Sequence, residues 1–187
     1  MIVKTRPIDI EQFEQMPEFD GPYELIDGSV VEKMTGDQHS RIARRLEKAI
    51  MVFDPNDKWG LTWRDATVKV VGDDGNGRKP DLAYIIASRV PAESPGSLTV
   101  MPDLVVEVWS FSDTDGPVSL KSTRIKMLYW PSNGAKITWC INPVAQEVEV
   151  YYAGPNAPAK VLTLNAELDG EEVIPGFKLP IASLFGT

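Results

Sequence analysis

The chain has 187 residues, 43% of them apolar, and its 27 Asp and Glu against 19 Lys and Arg give a formal charge of −8. That length and apolar share fit one domain, residues 1–187, with a real core, and no apolar run approaches the roughly 18 residues of a membrane span. The acidic balance argues against a protein that coats nucleic acid non-specifically, because phosphate binding wants a basic surface.

Cys140 is the only cysteine and His39 the only histidine. An intrachain disulfide and a Cys-rich zinc site are therefore excluded, and multi-histidine metal sites are poor candidates. No serine sits in a G-x-S-x-G elbow. The N-terminus "MIVKTRPIDIEQFEQ" has no apolar stretch followed by a small-residue cleavage site, so no signal peptide is read and cytoplasmic residence is expected.

In chain order, "IDIEQFEQM" predicts a short helix within an N-terminal segment of about 20 residues, capped by Asp9 and ended by Pro17. "YELIDGSVVEKM" predicts a hairpin around Asp27-Gly28, a dipeptide suited to a tight primed turn. "DQHSRIARRLEKAIMVF" places Ile42, Leu46, Ala49, Ile50 and Phe53 at helical spacing behind an Asp37 N-cap. "ATVKVVG" reads as a strand and "GDDGNGRKP" as a loop. "PDLAYII" and "PDLVVEVW" predict buried strands, each opened by Pro-Asp, joined by a loop with a helical turn. "GPVSLKSTRIKMLYW" predicts a helix with Asp115 before it and Pro117 in its first turn. "KITWCI", "EVEVYY" and "AKVLTL" follow as strands. The expected fold class is α/β (α+β), a mixed central sheet flanked by helices.

Glu107 lies inside the apolar run "LVVEVW". A lone ionised carboxylate in a packed sheet costs several kcal/mol or more unless it is protonated, paired or metal-bound. Asp81 opens the other buried strand, 26 positions earlier. If the two strands are neighbours, both acids converge at one end of the sheet, and the remedies for their repulsion are a shared proton or a divalent cation. Oxygen-only ligands favour a hard ion such as Mg²⁺. The competing reading is that Glu107 faces solvent or pairs with Lys69 or Arg78. Asp103 also follows a proline and shares a strand face with Glu107, but reads as a turn residue that begins the strand.

"YELIDGSVVEKM", "DQHSRIARRL", "KPDLAYI", "PDLVVEVWS", the lysine four residues before the tryptophan in "KMLYW", "GAKITWCINP", "EVEVYY" and "IPGFKLPIASLF" occur in this order. As a set, running from about Tyr23 to Phe185, they resemble the Uma family of nucleases in the PD-(D/E)xK restriction-endonuclease-like superfamily. The resemblance implies a restriction-endonuclease-like fold and a Mg²⁺- or Mn²⁺-dependent endonuclease, with DNA the expected substrate. It assigns Asp81 and Glu107 as metal ligands, Glu24 in "YELIDG" as a third carboxylate, and Lys126 as the lysine. The superfamily's usual lysine position, two after the acid, is Trp109 here, so the sequence resembles variants whose lysine has moved to the following helix. Phe111, Trp130 and Asn142 depart from the family's Pro, Tyr and Asp.

Phosphodiester hydrolysis needs an activated water and relief of growing phosphoryl charge, the roles the resemblance gives to the metal and Lys126. Ser119, Ser122 and Thr123 are small residues at helical spacing from Lys126, which would let its side chain lie toward the sheet; the alternative is an ordinary surface lysine. His39 reads as a helix-start residue bonding backbone or as an accessory to the site. Arg41, Arg44, Arg45 and Lys48 form a basic stripe, a solvated face or a set of phosphate contacts. Homodimerisation would supply two sites for two strands. The alternatives are an inactive nuclease-fold binding or regulatory module and a hydrolase of a smaller phosphoester.

Overall fold

The computed structural model describes residues 7–16, 23–33, 36–70, 72–93 and 96–186. Helix α1 (Ile10–Glu14) is capped by Asp9, whose carboxylate accepts the N–H of Gln12 in a reciprocal capping box; Pro17 lies outside the described residues. Strands β1 (Tyr23–Ile26) and β2 (Ser29–Glu32) form an antiparallel hairpin. Its turn residues Asp27 and Gly28 both have positive φ (48° and 73°), the conformation a primed turn demands and Asp-Gly tolerates. Helix α2 (Asp37–Phe53) starts one residue earlier than expected. Gly36 is its N-cap, and Asp37 is spent instead on Arg41 one turn on, at 2.8 Å.

The central sheet has six strands in the order β3-β4-β5-β6-β7-β8: Gly60–Trp63, Leu82–Ile86, Leu104–Val108, Ile137–Asn142, Glu147–Tyr151 and Lys160–Leu162. Strands β5 and β6 run parallel and the other neighbours antiparallel. The parallel step requires a crossover, supplied by α3 (Phe111–Thr114), α4 (Gly116–Met127) and α5 (Tyr129–Ser132). The expected single helix over "GPVSLKSTRIKMLYW" is thus broken at Leu128, ahead of Pro131, which cannot continue a helical hydrogen-bond ladder. A second hairpin, β9 (Glu167–Asp169) with β10 (Lys178–Pro180), leads into α6 (Ile181–Phe185).

One expected strand is absent among the described residues. In "ATVKVVG", Val68 makes only isolated bridges to Arg78 and Leu98, because its backbone is taken by two loops rather than by a strand. Conversely β3 was not read from sequence: it is four residues long and begins with glycine.

The two sheet faces are covered differently. Ile42, Ala43, Leu46 and Ile50 of α2 pack on Leu82, Tyr84, Leu104 and Val106, joined by Phe177, Ile181 and Leu184 from the C-terminal segment. Each fully buried aliphatic side chain contributes roughly 1.5–3 kcal/mol, against the few tenths of a kcal/mol (~0.3–0.5) of an exposed pair such as Asp37–Arg41. Burial, not surface charge, therefore docks α2. On the opposite face the crossover covers Val105 with Trp130 and Ala135, and Trp109, Cys140 and Tyr151 with Leu120 and Met127. Alternation along β5 puts Glu107 on this crossover face.

Candidate active site

Asp81 stands one residue before β4, and Glu107 one before the end of β5. Because β4 and β5 are antiparallel, with Leu82 opposite Val106, both acids arrive at the same end of the sheet. Asp81 is nearly inaccessible (2%) and is fixed by its surroundings: its N–H donates to Val106 O at 3.1 Å, and its Oδ2 accepts the N–H of Val108 at 2.6 Å. The His39 ring, at the start of α2, donates Nε2–H to the same Oδ2 at 2.9 Å. Glu107 is oriented by the indole of Trp130, which donates to Oε1 at 2.9 Å.

The remaining oxygens face one cation that the sequence did not reveal. Lys33, the residue after β2, places Nζ 2.7 Å from Asp81 Oδ1 and 3.4 Å from Glu107 Oε2, and also donates to the carbonyl of Lys79. Asp81 Oδ1 is buried, and the Lys33 ammonium is its one close polar neighbour among the described residues. The hairpin is held over the sheet by mutual N–H···O bonds between Leu25 and Gly77, both 2.9 Å. A Cβ at Gly77 would lie 2.3 Å from Ile10 Cδ1, so that side chain would have to shift to admit one.

Glu24 on β1 accepts the N–H of Lys79 at 2.7 Å. Together with Lys33, His39, Arg78, Glu107 and Lys126 it lines a cleft of about 260 Å³. With a water's share of liquid near 30 Å³, that is room for a hydrated ion and a phosphate group. The electrostatics reflect three carboxylates around one lysine. Burial pushes Glu107 up, and the charges of Asp81 and Glu24 add to this against the pull of Lys33 and Trp130, so the group sits above the ordinary carboxylate range. Burial alone would also raise Asp81, but Lys33 and His39 outweigh it and hold Asp81 low. Lys33 is disfavoured by burial yet held above the usual lysine value by Glu107, Asp81 and Glu24. The cluster is short of positive charge.

The expected lysine, Lys126, is exposed in the last turn of α4 and lines the same cleft, and no ion pair ties it among the described residues. Thr123, one turn before it, is buried and bonds Asp113 O at 3.2 Å. The basic stripe lies apart: Arg41 pairs with Asp37, Arg45 donates to Leu184 O at 2.9 Å, and neither these nor Arg44 and Lys48 line the cleft. Asp103 is at the other end of β5, buried and paired with Arg89 at 2.7 Å, a strand-opening residue as read. Lys69 and Arg78, weighed as partners for Glu107, go elsewhere: Lys69 to Glu14 at 3.6 Å, Arg78 over the Tyr129 ring at 3.9 Å. Trp109 and Trp130 are core residues, 3% and 2% exposed, and present no face for base stacking.

Among the described residues no three His, Cys, Asp or Glu side chains converge as metal ligands. The oxygens that do converge on the Lys33 ammonium are two carboxylate oxygens and one carbonyl. This set fits Mg²⁺, which typically takes one or two carboxylates and keeps several waters, provided Lys33 gives way.

The model of the Uma2 family, described as "Putative restriction endonuclease", matches residues 10–182. This chain belongs to the Uma2 family. No curated protein matches it. Among solved structures, a "putative nuclease belonging to DUF820" from Anabaena variabilis ATCC 29413 superposes with a TM-score of 0.74 at 22% identity, covering 96% of this chain and 98% of that one. At that identity the likeness shows a shared fold, which in this chain is a mixed six-stranded sheet flanked by helices. No helix among the described residues is long and apolar enough to cross a membrane.

Proposed function

We propose that this Uma2 protein is a Mg²⁺- or Mn²⁺-dependent endonuclease that hydrolyses phosphodiester bonds in DNA. The observation that carries the reading is that Asp81 Oδ1 and Glu107 Oε2 are aimed at one cationic point at the end of the sheet, the Lys33 ammonium, and that Glu107 and Lys33 line the cleft beside the buried Asp81. A bound divalent ion there would lower the pKa of a water and draw charge from a phosphoryl oxygen. Asp81 and Glu107 would hold it, with the Lys79 carbonyl completing the protein's oxygen set. His39 and the Val108 N–H keep Asp81 in one rotamer, and Trp130 does the same for Glu107. Glu24 adds negative charge to the same cleft. Lys126 would orient the attacking water or take up charge on the phosphoryl group. Arg78 would grip a flanking phosphate, for which a guanidinium fork is well shaped. Two copies of the chain would present one such site to each strand of a duplex.

The test is incubation of purified protein with plasmid and linear DNA, with Mg²⁺ or Mn²⁺, beside Asp81→Asn and Lys126→Ala. Nicking that requires the metal and disappears in Asp81→Asn is the expected outcome. Equal nicking by all three proteins would trace the activity to a contaminant and end the proposal.

A further inference from the structure

We infer that Lys33 is an exchangeable resident cation: its ammonium holds the point on which Asp81, Glu107 and the Lys79 carbonyl converge, and it must withdraw into the cleft before a divalent ion can bind. The inference rests on the metal-site reading above and adds a residue whose part in that site the sequence did not disclose.

Three observations carry it. First, the ammonium and a hard cation would compete for the same oxygens, since Nζ contacts Asp81 Oδ1, Glu107 Oε2 and Lys79 O at once. Both cannot sit there. Second, Lys33 is an imperfect occupant. Its contact with Glu107 is long, at 3.4 Å against 2.7 Å to Asp81 Oδ1, so the ammonium does not hold both acids equally. Third, Lys33 has somewhere to go. It lines the cleft, its side chain is 12% exposed, and its flexible four-carbon stem can re-aim the ammonium without moving the backbone. A single charge is thereby replaced by a double one where three carboxylates face one lysine.

Lysine withdrawal is then linked to metal affinity, because any group that favours the closed ammonium state opposes the ion by the same factor. The full chain is titrated with Mn²⁺ in the absence of DNA, free Mn²⁺ being read by electron paramagnetic resonance, for wild type, Lys33→Met, Lys33→Gln and Asp81→Asn. We expect Lys33→Met and Lys33→Gln to bind one Mn²⁺ about tenfold or more tighter than wild type, a coupling of ordinary size, and Asp81→Asn to lose the site. Equal or weaker binding by both Lys33 variants overturns the exchange and leaves the metal reading standing; absence of binding from every protein overturns both. A second measurement uses wild type alone, so that a poorly folded variant cannot obscure the result. Acetic anhydride labelling of Lys33, quantified by mass spectrometry, should rise severalfold when Mn²⁺ is added, and labelling that is unchanged or reduced at saturating Mn²⁺ contradicts withdrawal.

Discussion

Glu107 and Glu149 occupy one face of the same sheet, separated in register by Cys140, yet they are held in opposite ways. Glu149 is wholly inaccessible and saturated: Arg124 Nε donates to both of its oxygens at 2.9 and 3.1 Å, and Tyr151 donates its hydroxyl to Oε2. Glu107 has one oxygen fixed by Trp130 at 2.9 Å and a second that accepts only a long bond from Lys33, at 3.4 Å, beside an open cleft. Burying a charge is costly, and full hydrogen bonding is how a structural acid offsets it. Glu107 is thus held by weaker bonds than Glu149, at a cleft where the proposed metal would bind.

That contrast can be broken most forcefully at its saturated end. Arg124→Met leaves the buried Glu149 with Tyr151 alone, and leaving a buried acceptor under-satisfied costs about 1–3 kcal/mol. A urea melt should show the loss; a cost below 1 kcal/mol (about the worth of an exposed pair) would mean that Glu149 is not held as a charge. At the unsaturated end, Lys126→Ala should lower the cleavage rate by roughly 100-fold, the scale of losing one donor to transition-state charge. Its urea midpoint should stay at the wild-type value, because Lys126 is exposed and tied to no acid among the described residues.

How much of this arrangement the sequence carried depends on how local each signal is. Strands β4 and β5 are apolar runs bounded by Pro-Asp, and the Asp27-Gly28 turn is fixed by two residues, so both were legible. The approach of Asp81 to Glu107 was legible only on the condition that the two strands are neighbours, which the antiparallel register of Leu82 with Val106 supplies. Lys33 was not legible. It follows a short, half-exposed strand, and only the docking of that hairpin through Leu25 and Gly77 carries it 2.7 Å from an aspartate 48 positions away. The valine-rich "ATVKVVG" failed for the converse reason: strand propensity is only a fit to a pleated surface, and Val68 is held by single bridges to Arg78 and Leu98 in loops. The arginine stripe on α2 had the right spacing for a polar face, but spacing cannot say that Arg45 would reach Leu184 O.

Two smaller effects sharpen the comparison. Arg78→Ala should weaken DNA binding about tenfold and reduce the salt slope by about 1, the mark of a lost phosphate contact, measured by fluorescence anisotropy across a salt series. Arg78 lines the cleft and its Nε is buried without a hydrogen-bond partner, so its removal should leave Glu149's region untouched. The smallest concerns Glu14, another acid tied by hydrogen bonds, here the N–H of Ser97 at 3.1 Å and the Ser97 hydroxyl. Burial pushes its pKa up, but Ser97 and Lys69 outweigh this and hold it below 4.5. A lowered folded-state value means the stability is present above the unfolded value and is lost as pH falls through the folded one. Ser97→Ala should therefore cost about 1 kcal/mol at pH 7, and the gap from wild type in urea melts should narrow as the pH drops below 4.5.

The most direct test is to crystallise the protein with Mn²⁺ and locate the ion by anomalous diffraction. A single peak about 2.2 Å from one oxygen each of Asp81 and Glu107, with the Lys33 ammonium moved out of that position, is the predicted result. Metal-dependent cleavage in solution together with a map in which no peak touches either acid, and Lys33 remains between them, would contradict it.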